Sequence, residues 1–257
     1  MKTKTVTITP EVLDVLTRST VTGNQLVLPP GQLDRKLYVA VNQVLELLGG
    51  KWNKKLKAHV FPSNPRTAIA DAMGNGSVLD EQQTYQMFFT PAPLAAQLAA
   101  WADIRPGDRV LEPSAGAGAI VKAIHKDEPD VFIHAIEVNA KLHRKLIDLA
   151  VAEGLAGNVI TLADFTTVKP DGPDGIGYFD VVLMNPPFHN GQAISHIEHA
   201  LTFLSPAGVL VAICPNGPKE RDRFMGRSTE WTELPAGTFA ESGTNVSTAL
   251  IAMNAAA

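Results

Sequence analysis

From Arg109 onward, short apolar runs alternate with segments whose apolar residues recur at helical spacing, and this alternation leaves few folds open. The strand candidates are Arg109–Glu112, Val131–Glu137, Val159–Asp164, Phe179–Asn185 and Gly208–Cys214. Between them Ala119–His125, Ala140–Ala152 and Ala193–Leu204 read as helices. Strand–helix alternation of this kind predicts a mainly parallel sheet covered on both faces. The unbroken apolar run Val181–Met184 suits a central strand buried on both sides. The chain closes differently: Trp231–Phe239 and Val246–Ala252 predict a final antiparallel pair joined through Glu241–Asn245.

Upstream, Pro91–Asp103 predicts a helix with Thr90 as its N-cap. Ser63–Glu81, rich in Gly, Asn and Asp, reads as a linker. Residues 1–62 read as a small α+β element, with a helix over Leu33–Leu48 stopped by Gly49-Gly50 and a strand over Lys57–Phe61. The domain division expected is therefore 1–85 and 86–257. Charge divides the same way. Residues 1–85 hold ten Lys/Arg against seven acids, or +3, in a chain whose net charge is −4, so the remainder carries −7. A basic segment on an acidic body is compatible with a polyanionic partner held at one end. One cysteine, Cys214, excludes an internal disulfide framework and a Cys-rich zinc site. No run is long enough for a membrane helix and no signal peptide is present, so a cytoplasmic protein is expected.

Chemistry concentrates first in Val110-Leu-Glu-Pro-Ser-Ala-Gly-Ala-Gly118, where a strand turns into a helix. Glycines at 116 and 118 allow close approach of a ligand to the backbone, and the helix start offers free amide donors. The dinucleotide fingerprint would place a third glycine where Val121 stands, which counts against a nicotinamide cofactor. Glu112, a carboxylate at the strand end, suits a cationic ligand rather than a pyrophosphate. S-adenosylmethionine offers such charge in its α-ammonium and sulfonium groups. Glu137 closes the second strand and can accept both ribose hydroxyls. Asp164 ends the third strand and can accept from an adenine amino group, with Phe165 beside it to cover the ring.

The second concentration is Asn185-Pro186-Pro187-Phe188, at the end of the apolar fourth strand. The prolines stiffen the backbone and fix where the Asn amide and a carbonyl point. The exocyclic amine of a base is a poor nucleophile because its lone pair is delocalised. Accepting both of its N–H bonds, by Asn185 Oδ1 and the Pro186 carbonyl, favours the pyramidal form that attacks a methyl group. Phe188 can stack on the ring.

Together, Phe89-Thr90-Pro91, Leu111-Glu112-Pro113-Ser114-Ala115-Gly116-Ala-Gly118, Glu137, Asp164-Phe165 and Asn185-Pro-Pro-Phe188 resemble the N6-adenine DNA methyltransferase family, over about Gln86–Met253. The resemblance implies a Rossmann-like α/β methyltransferase domain, mainly parallel with an antiparallel last strand, behind the small α+β element. It implies S-adenosyl-L-methionine as cofactor, with the Thr-Pro element on its methionine part. It also implies a flipped adenine held by Asn-Pro-Pro-Phe, and DNA ahead of RNA as partner. The order of motifs resembles the subgroup that places its catalytic domain first. The departure is that about seventy residues follow Phe188. The sheet needs most of them, so no target-recognition domain is expected there. Selectivity would then be slight, or come from residues 1–85 or from a separate recognition subunit.

Within 1–85, Gly49–Phe61 resembles the N-terminal part of phage- and plasmid-borne relatives. Lys51, Trp52, Lys54, Lys55 and Lys57 mix positive charge with an aromatic, as nucleic-acid surfaces do; a solvated turn with Trp52 in the core is the alternative. Competing functions are ribosomal RNA methylation at guanine N2 or adenine N6, protein glutamine-N5 methylation, and a non-catalytic subunit of a restriction-modification complex. Asn185–Phe188 with His189 and the His-bearing helix behind it also resembles the guanine-N2 rRNA enzymes. Their cofactor turn usually reads Asp-x-Gly-Cys-Gly, however, and they do not typically carry the Thr-Pro element. Cys214-Pro215 has the wrong order and place for a cytosine-C5 nucleophile. His196 and His199 have no evident third partner for a metal and read as exposed or helix-packing residues.

Overall fold

The computed structural model describes residues 5–79, 89–155, 157–188, 191–240 and 245–255. His189, the start of the second unit at Gln86 and most of the Glu241–Asn245 connection lie outside the described residues. The chain forms two compact units, Met1–Tyr85 and Gln86–Ala257.

The first unit runs β1 (Thr5–Thr7), α1 (Pro10–Arg18), β2 (Thr20–Thr22), β3 (Gln25–Val27), α2 (Arg35–Leu47), β4 (Lys51–Asn53), β5 (Ala58–Val60), α3 (Arg66–Asn75) and β6 (Ser77–Leu79). The strands β2-β3-β5-β4 form an antiparallel sheet, and β1 pairs with β6. Asp34 caps α2 by accepting from the Lys36 and Leu37 amides, and Gly49, at φ 92°, ends it. Val12, Val15 and Leu16 of α1 meet Leu26, Val41, Val44, Leu45 and Phe61 in the core.

The linker expected over 63–81 is folded in large part. Ile69 and Ala72 bury one side of α3, Gly76 turns the chain at φ 65°, and β6 returns to pair with β1. Gly74-Asn75-Gly76 is a helix stop followed by a strand, a pattern whose partner strand lies some seventy residues away, at Thr5–Thr7.

The second unit runs α4 (Ala92–Trp101), β7 (Arg109–Glu112), α5 (Ala119–Asp127), β8 (Phe132–Glu137), α6 (Ala140–Ala152), β9 (Val159–Leu162), a single 3-10 turn (Phe165–Thr167), β10 (Phe179–Met184), α7 (Gln192–Leu201), β11 (Leu204–Pro215), β12 (Glu230–Glu233) and β13 (Thr248–Asn254). The sheet order is β12-β13-β11-β10-β7-β8-β9. Strands β11, β10, β7, β8 and β9 are parallel, and β13 inserts antiparallel between β11 and β12. This is the Rossmann-like methyltransferase sheet. β10 is buried along its length, with Val182, Leu183 and Met184 fully covered, as its apolar run requires. One core layer packs Leu98, Ile120, Ile124 and Leu146 on the sheet; the other packs Ile197, Phe203 and Phe224. β12 stops at Glu233, ahead of Pro235, which has no amide proton to continue a ladder, so the expected strand to Phe239 is halved. Phe239 is nonetheless buried in the core.

Candidate active site

Strand order reverses between β7 and β10, since β8 and β9 follow on one side and β11 on the other. In open α/β sheets a crevice forms there, outside the carboxyl ends of the strands. The last residues of β7 and β8, Glu112 and Glu137, end at that edge, and Asn185 follows β10 directly. All three are buried polar residues at 1%, 7% and 9% exposure.

Glu137 ties two turns together. Its Oε2 accepts from the Gly116 amide at 2.7 Å and its Oε1 from the Asn139 amide at 2.7 Å. Asn139 in turn caps α6 through the Lys141 and Leu142 amides. Burial raises the Glu137 pKa, against these amides and the nearby His143, which lower it. Glu112 is different. Its Oε2 has no hydrogen-bond partner among the described residues. Burial, followed by repulsion from Glu137, pushes its pKa up to about 8. A buried carboxylate oxygen left unsatisfied is costly unless a cation or donor arrives to meet it.

The two glycines of the turn divide their work. At Gly116 (φ 56°) an added Cβ would meet nothing within 4 Å, so the backbone borders open space. At Gly118 (φ 88°) it would run into Leu146 and Leu149 of α6. Gly118 thus serves helix packing, and Gly116 alone borders room for a ligand. Gly118→Ala should cost stability, about 1–3 kcal/mol by overpacking plus the strained φ. Gly116→Ala should cost about 1–2 kcal/mol through its own left-handed φ, without overpacking, and lower cofactor affinity besides. Thermal melts beside cofactor titrations separate the two, and equal stability losses would contradict the division.

Thr90 does not cap α4. The cap position is Pro91, with no side-chain cap bond, while the Thr90 Oγ1 accepts from Asn185 Nδ2 at 3.0 Å. The Thr-Pro element is thereby joined to the Asn-Pro-Pro-Phe segment across 95 positions. In this orientation the donor end of the amide meets Thr90 and its acceptor end points the other way. Pro186 is buried, Pro187 and Phe188 half-buried, and Phe188 meets Phe239 edge-on at 5.8 Å. Of the remaining cofactor candidates, Pro113 and Ala115 are buried, Ser114 and Pro91 half-buried, and Phe89 exposed.

Of two further candidates, Asp164 keeps an exposed carboxylate beside its structural task and Phe165 is turned into the core. Asp164 caps the 3-10 turn, accepting from the Thr166 amide at 3.0 Å and hydroxyl at 2.7 Å. Phe165 is 2% exposed and packs on His199 and Phe203 at 4.7 and 5.3 Å, so its ring belongs to the core. The aromatic cover proposed for an adenine ring is therefore not supplied by Phe165 in this structure. Val138 was missed by sequence reasoning: it directly follows Glu137 and is an exposed apolar side chain at 37%. An apolar residue just past a strand-end acid was the available signal. His196 and His199 pack against Phe165, and His199 Nε2 lies 2.9 Å from the Val168 carbonyl. Among the described residues no group of three or more His, Cys, Asp or Glu could hold a metal ion. Cys214 is buried, which pushes its thiol up to about 12.

The fold is that of S-adenosylmethionine-dependent methyltransferases, and the residues at the strand ends fit that cofactor: Glu112 Oε2 is a buried acceptor without a partner among the described residues, and Gly116 borders open space. The chain belongs to the methyltransferase small domain family, which it matches over residues 95–232. It is 31% identical over 83 residues to the Ribosomal RNA small subunit methyltransferase C of Shewanella loihica, covering 32% of this chain and 22% of that protein. The chain thus matches less than a quarter of that relative's length. Among solved structures it is similar to TrmN from Thermus thermophilus (TM-score 0.51, 22% identity, 64% of this chain and 49% of that one). It is also similar to a modification subunit assigned to a type I restriction enzyme from Vibrio vulnificus YJ016 (TM-score 0.54, 14% identity, 97% and 66%). At these identities the likenesses concern the fold. Among the described residues no helix is long and apolar enough to cross a membrane.

Proposed function

We infer that the protein transfers a methyl group from S-adenosylmethionine to the exocyclic amino group of a nucleic-acid base, in RNA ahead of DNA. The observation that carries this reading is the Thr90–Asn185 bond at 3.0 Å, which fixes an amide acceptor at the end of β10. The cofactor supplies the electrophilic methyl. Glu112 would hold its ammonium, the open space beside Gly116 would admit its methionine part, and Glu137 would accept from the ribose while holding the turn. Val138 gives an apolar surface for the adenine. Asn185 Oδ1 and the Pro186 carbonyl accept from the target amine, and Phe188 covers the target ring. As the nitrogen forms its bond to carbon, the carbon–sulfur bond breaks and the amine's surplus proton leaves to solvent.

RNA is favoured because the curated relative named above acts, by its name, on ribosomal RNA. DNA adenine remains the second reading, supported by the Thr-Pro element joined to Asn185 and by the likeness to a modification subunit over 97% of the chain. A non-catalytic role would leave the oriented amide unused. Competition between small-subunit rRNA and duplex DNA for labelled methyl separates the two substrates. Thr90→Val, which keeps shape and removes the acceptor, should lower kcat with little change in cofactor affinity, whereas Thr90→Ser should retain activity. Equal rates for the three proteins would contradict a role for the oriented amide.

A further inference from the structure

In the first unit the described acids keep to the helices, while the cations lie on helices and sheet alike. Among its described residues every acid sits on a helix or caps one: Glu11 and Asp14 on α1, Asp34 at the start of α2, Glu46 on α2 and Asp71 on α3. Residues 20–27 and 51–60, which form β2-β3 and β4-β5, contain four lysines and no acid. Twenty-three residues of helix and loop separate these two hairpins in sequence; the sheet sets them side by side.

Register assigns the two faces. Directly paired residues share a face, so Val21, Leu26, His59 and Trp52 form one row and Thr22, Gln25, Val60 and Lys51 the opposite one. The first row faces the helices: Leu26 is in the core with Val41 and Val44, and His59 Nε2 lies 2.9 Å from Asn42 Oδ1 of α2. Trp52 belongs to that row, its ring 5.2 Å from His59, and is 41% exposed at the sheet edge. It therefore does not share a face with Lys51. In the other row Thr22 and Lys51 are exposed and Gln25 and Val60 half-buried, with exposed Thr20 and Val27 alongside. Lys54, Lys55 and Lys57 ring the β4–β5 turn, all exposed. Lys57 sits at φ 49°, and Asn53 Oδ1 accepts from the Lys55 and Leu56 amides, so the turn is ordered.

We propose that this non-helical face of the β2-β3-β5-β4 sheet, with its lysine-bearing turn, grips the phosphodiester backbone of the RNA substrate. The proposal rests on the nucleic-acid reading above. Four cations without an anion favour a polyanion, and Thr20, Thr22 and Gln25 add neutral donors for phosphate oxygens without reading sequence. The helical side sets Arg18, Arg35, Lys36 and Arg66 among its acids, so its charges nearly cancel and it offers no comparable cationic surface. Trp52 is left out of the contact.

The test is fluorescence anisotropy of the full chain with a labelled rRNA hairpin, titrated with salt. Lys51→Glu with Thr22→Glu changes the face, Lys54→Ala with Lys55→Ala changes the turn and spares the strands, and Lys36→Glu changes the helical side. The expected result is that the face and turn variants each weaken binding by about tenfold or more and flatten the log–log salt slope by about one per lysine removed. Lys36→Glu should stay near wild type, and cofactor affinity should be unchanged throughout. Lysines that only guard the free edge of β4 against pairing would leave affinity and slope unchanged in the turn variant. That outcome, or equal losses in all three variants, overturns the proposal. Methyl transfer at saturating RNA reads the catalytic assignment separately: wild type that binds the hairpin but transfers nothing to any nucleic acid contradicts that assignment and not this face.

Discussion

Asn185→Ala should remove methyl transfer while leaving cofactor binding nearly intact. The amide is proposed to accept from the attacking amine as its lone pair localises, an interaction that strengthens in the transition state and so appears in kcat. Removing one such group typically costs two to three orders of magnitude, about 3–4 kcal/mol. Asn185 follows β10 and donates to Thr90, whereas the cofactor turn is tied by Glu137 to the Gly116 and Asn139 amides, which the substitution leaves in place. Steady-state rates with calorimetric cofactor affinities decide the matter. A variant keeping more than about a tenth of wild-type turnover places less than ~1.4 kcal/mol on this side chain, too little for the assigned role.

The second large effect concerns pH. Glu112 is pushed up to about 8, from an ordinary carboxylate value of 4.5, by burial and by Glu137. For an acid whose folded pKa is raised, the folded state holds the proton more tightly than the unfolded chain does. Its contribution to stability is complete below pH 4.5 and is lost as pH rises through 8. Cofactor-free protein should therefore lose stability across this window, and Glu112→Gln, which never ionises, should flatten the loss. The limit at high pH is about 5 kcal/mol. Cofactor affinity should run the other way. Meeting an ammonium requires the carboxylate, so a proton must leave, and affinity should climb toward tenfold per unit up to about pH 7.5, where the α-ammonium itself begins to titrate. Glu112→Gln should bind weakly with little of this slope. Melting curves and calorimetry in two buffers of different ionisation enthalpy measure both. Stability and affinity moving in the same direction would contradict the assignment.

The parallel sheet was legible because its signals are local. β7 and α6 have the bounds expected from apolar spacing, and β8 and β10 differ from expectation by one residue at an end. The carboxylates at strand ends were legible for the same reason. Harder to read was anything decided by a distant partner. Thr90 has the composition of an N-cap, yet its hydroxyl goes to Asn185. Gly116 and Gly118 look equivalent in sequence, and only α6 crossing beside Gly118 separates packing from ligand approach. Phe165 follows an acid that the sequence places at a strand end, but β9 stops at Leu162 and a 3-10 turn rotates Phe165 into the core between His199 and Phe203. Lys51 and Trp52 are neighbours in sequence and belong to opposite faces of a strand, which charge-and-aromatic composition does not reveal.

Acceptors on Asn185 and Pro186 are proposed to direct methylation to an exocyclic amine. This assignment is tested most directly by identifying the modified atom. Wild type and Asn185→Ala would be incubated with methyl-labelled S-adenosylmethionine and unmodified small-subunit rRNA or DNA, followed by digestion to nucleosides. Label is expected on N2-methylguanosine or N6-methyladenosine (or its deoxy form) with wild type, and on nothing with the variant. Label on a ring carbon, a ring nitrogen or a ribose oxygen, or an equal yield from the variant, would contradict the assignment.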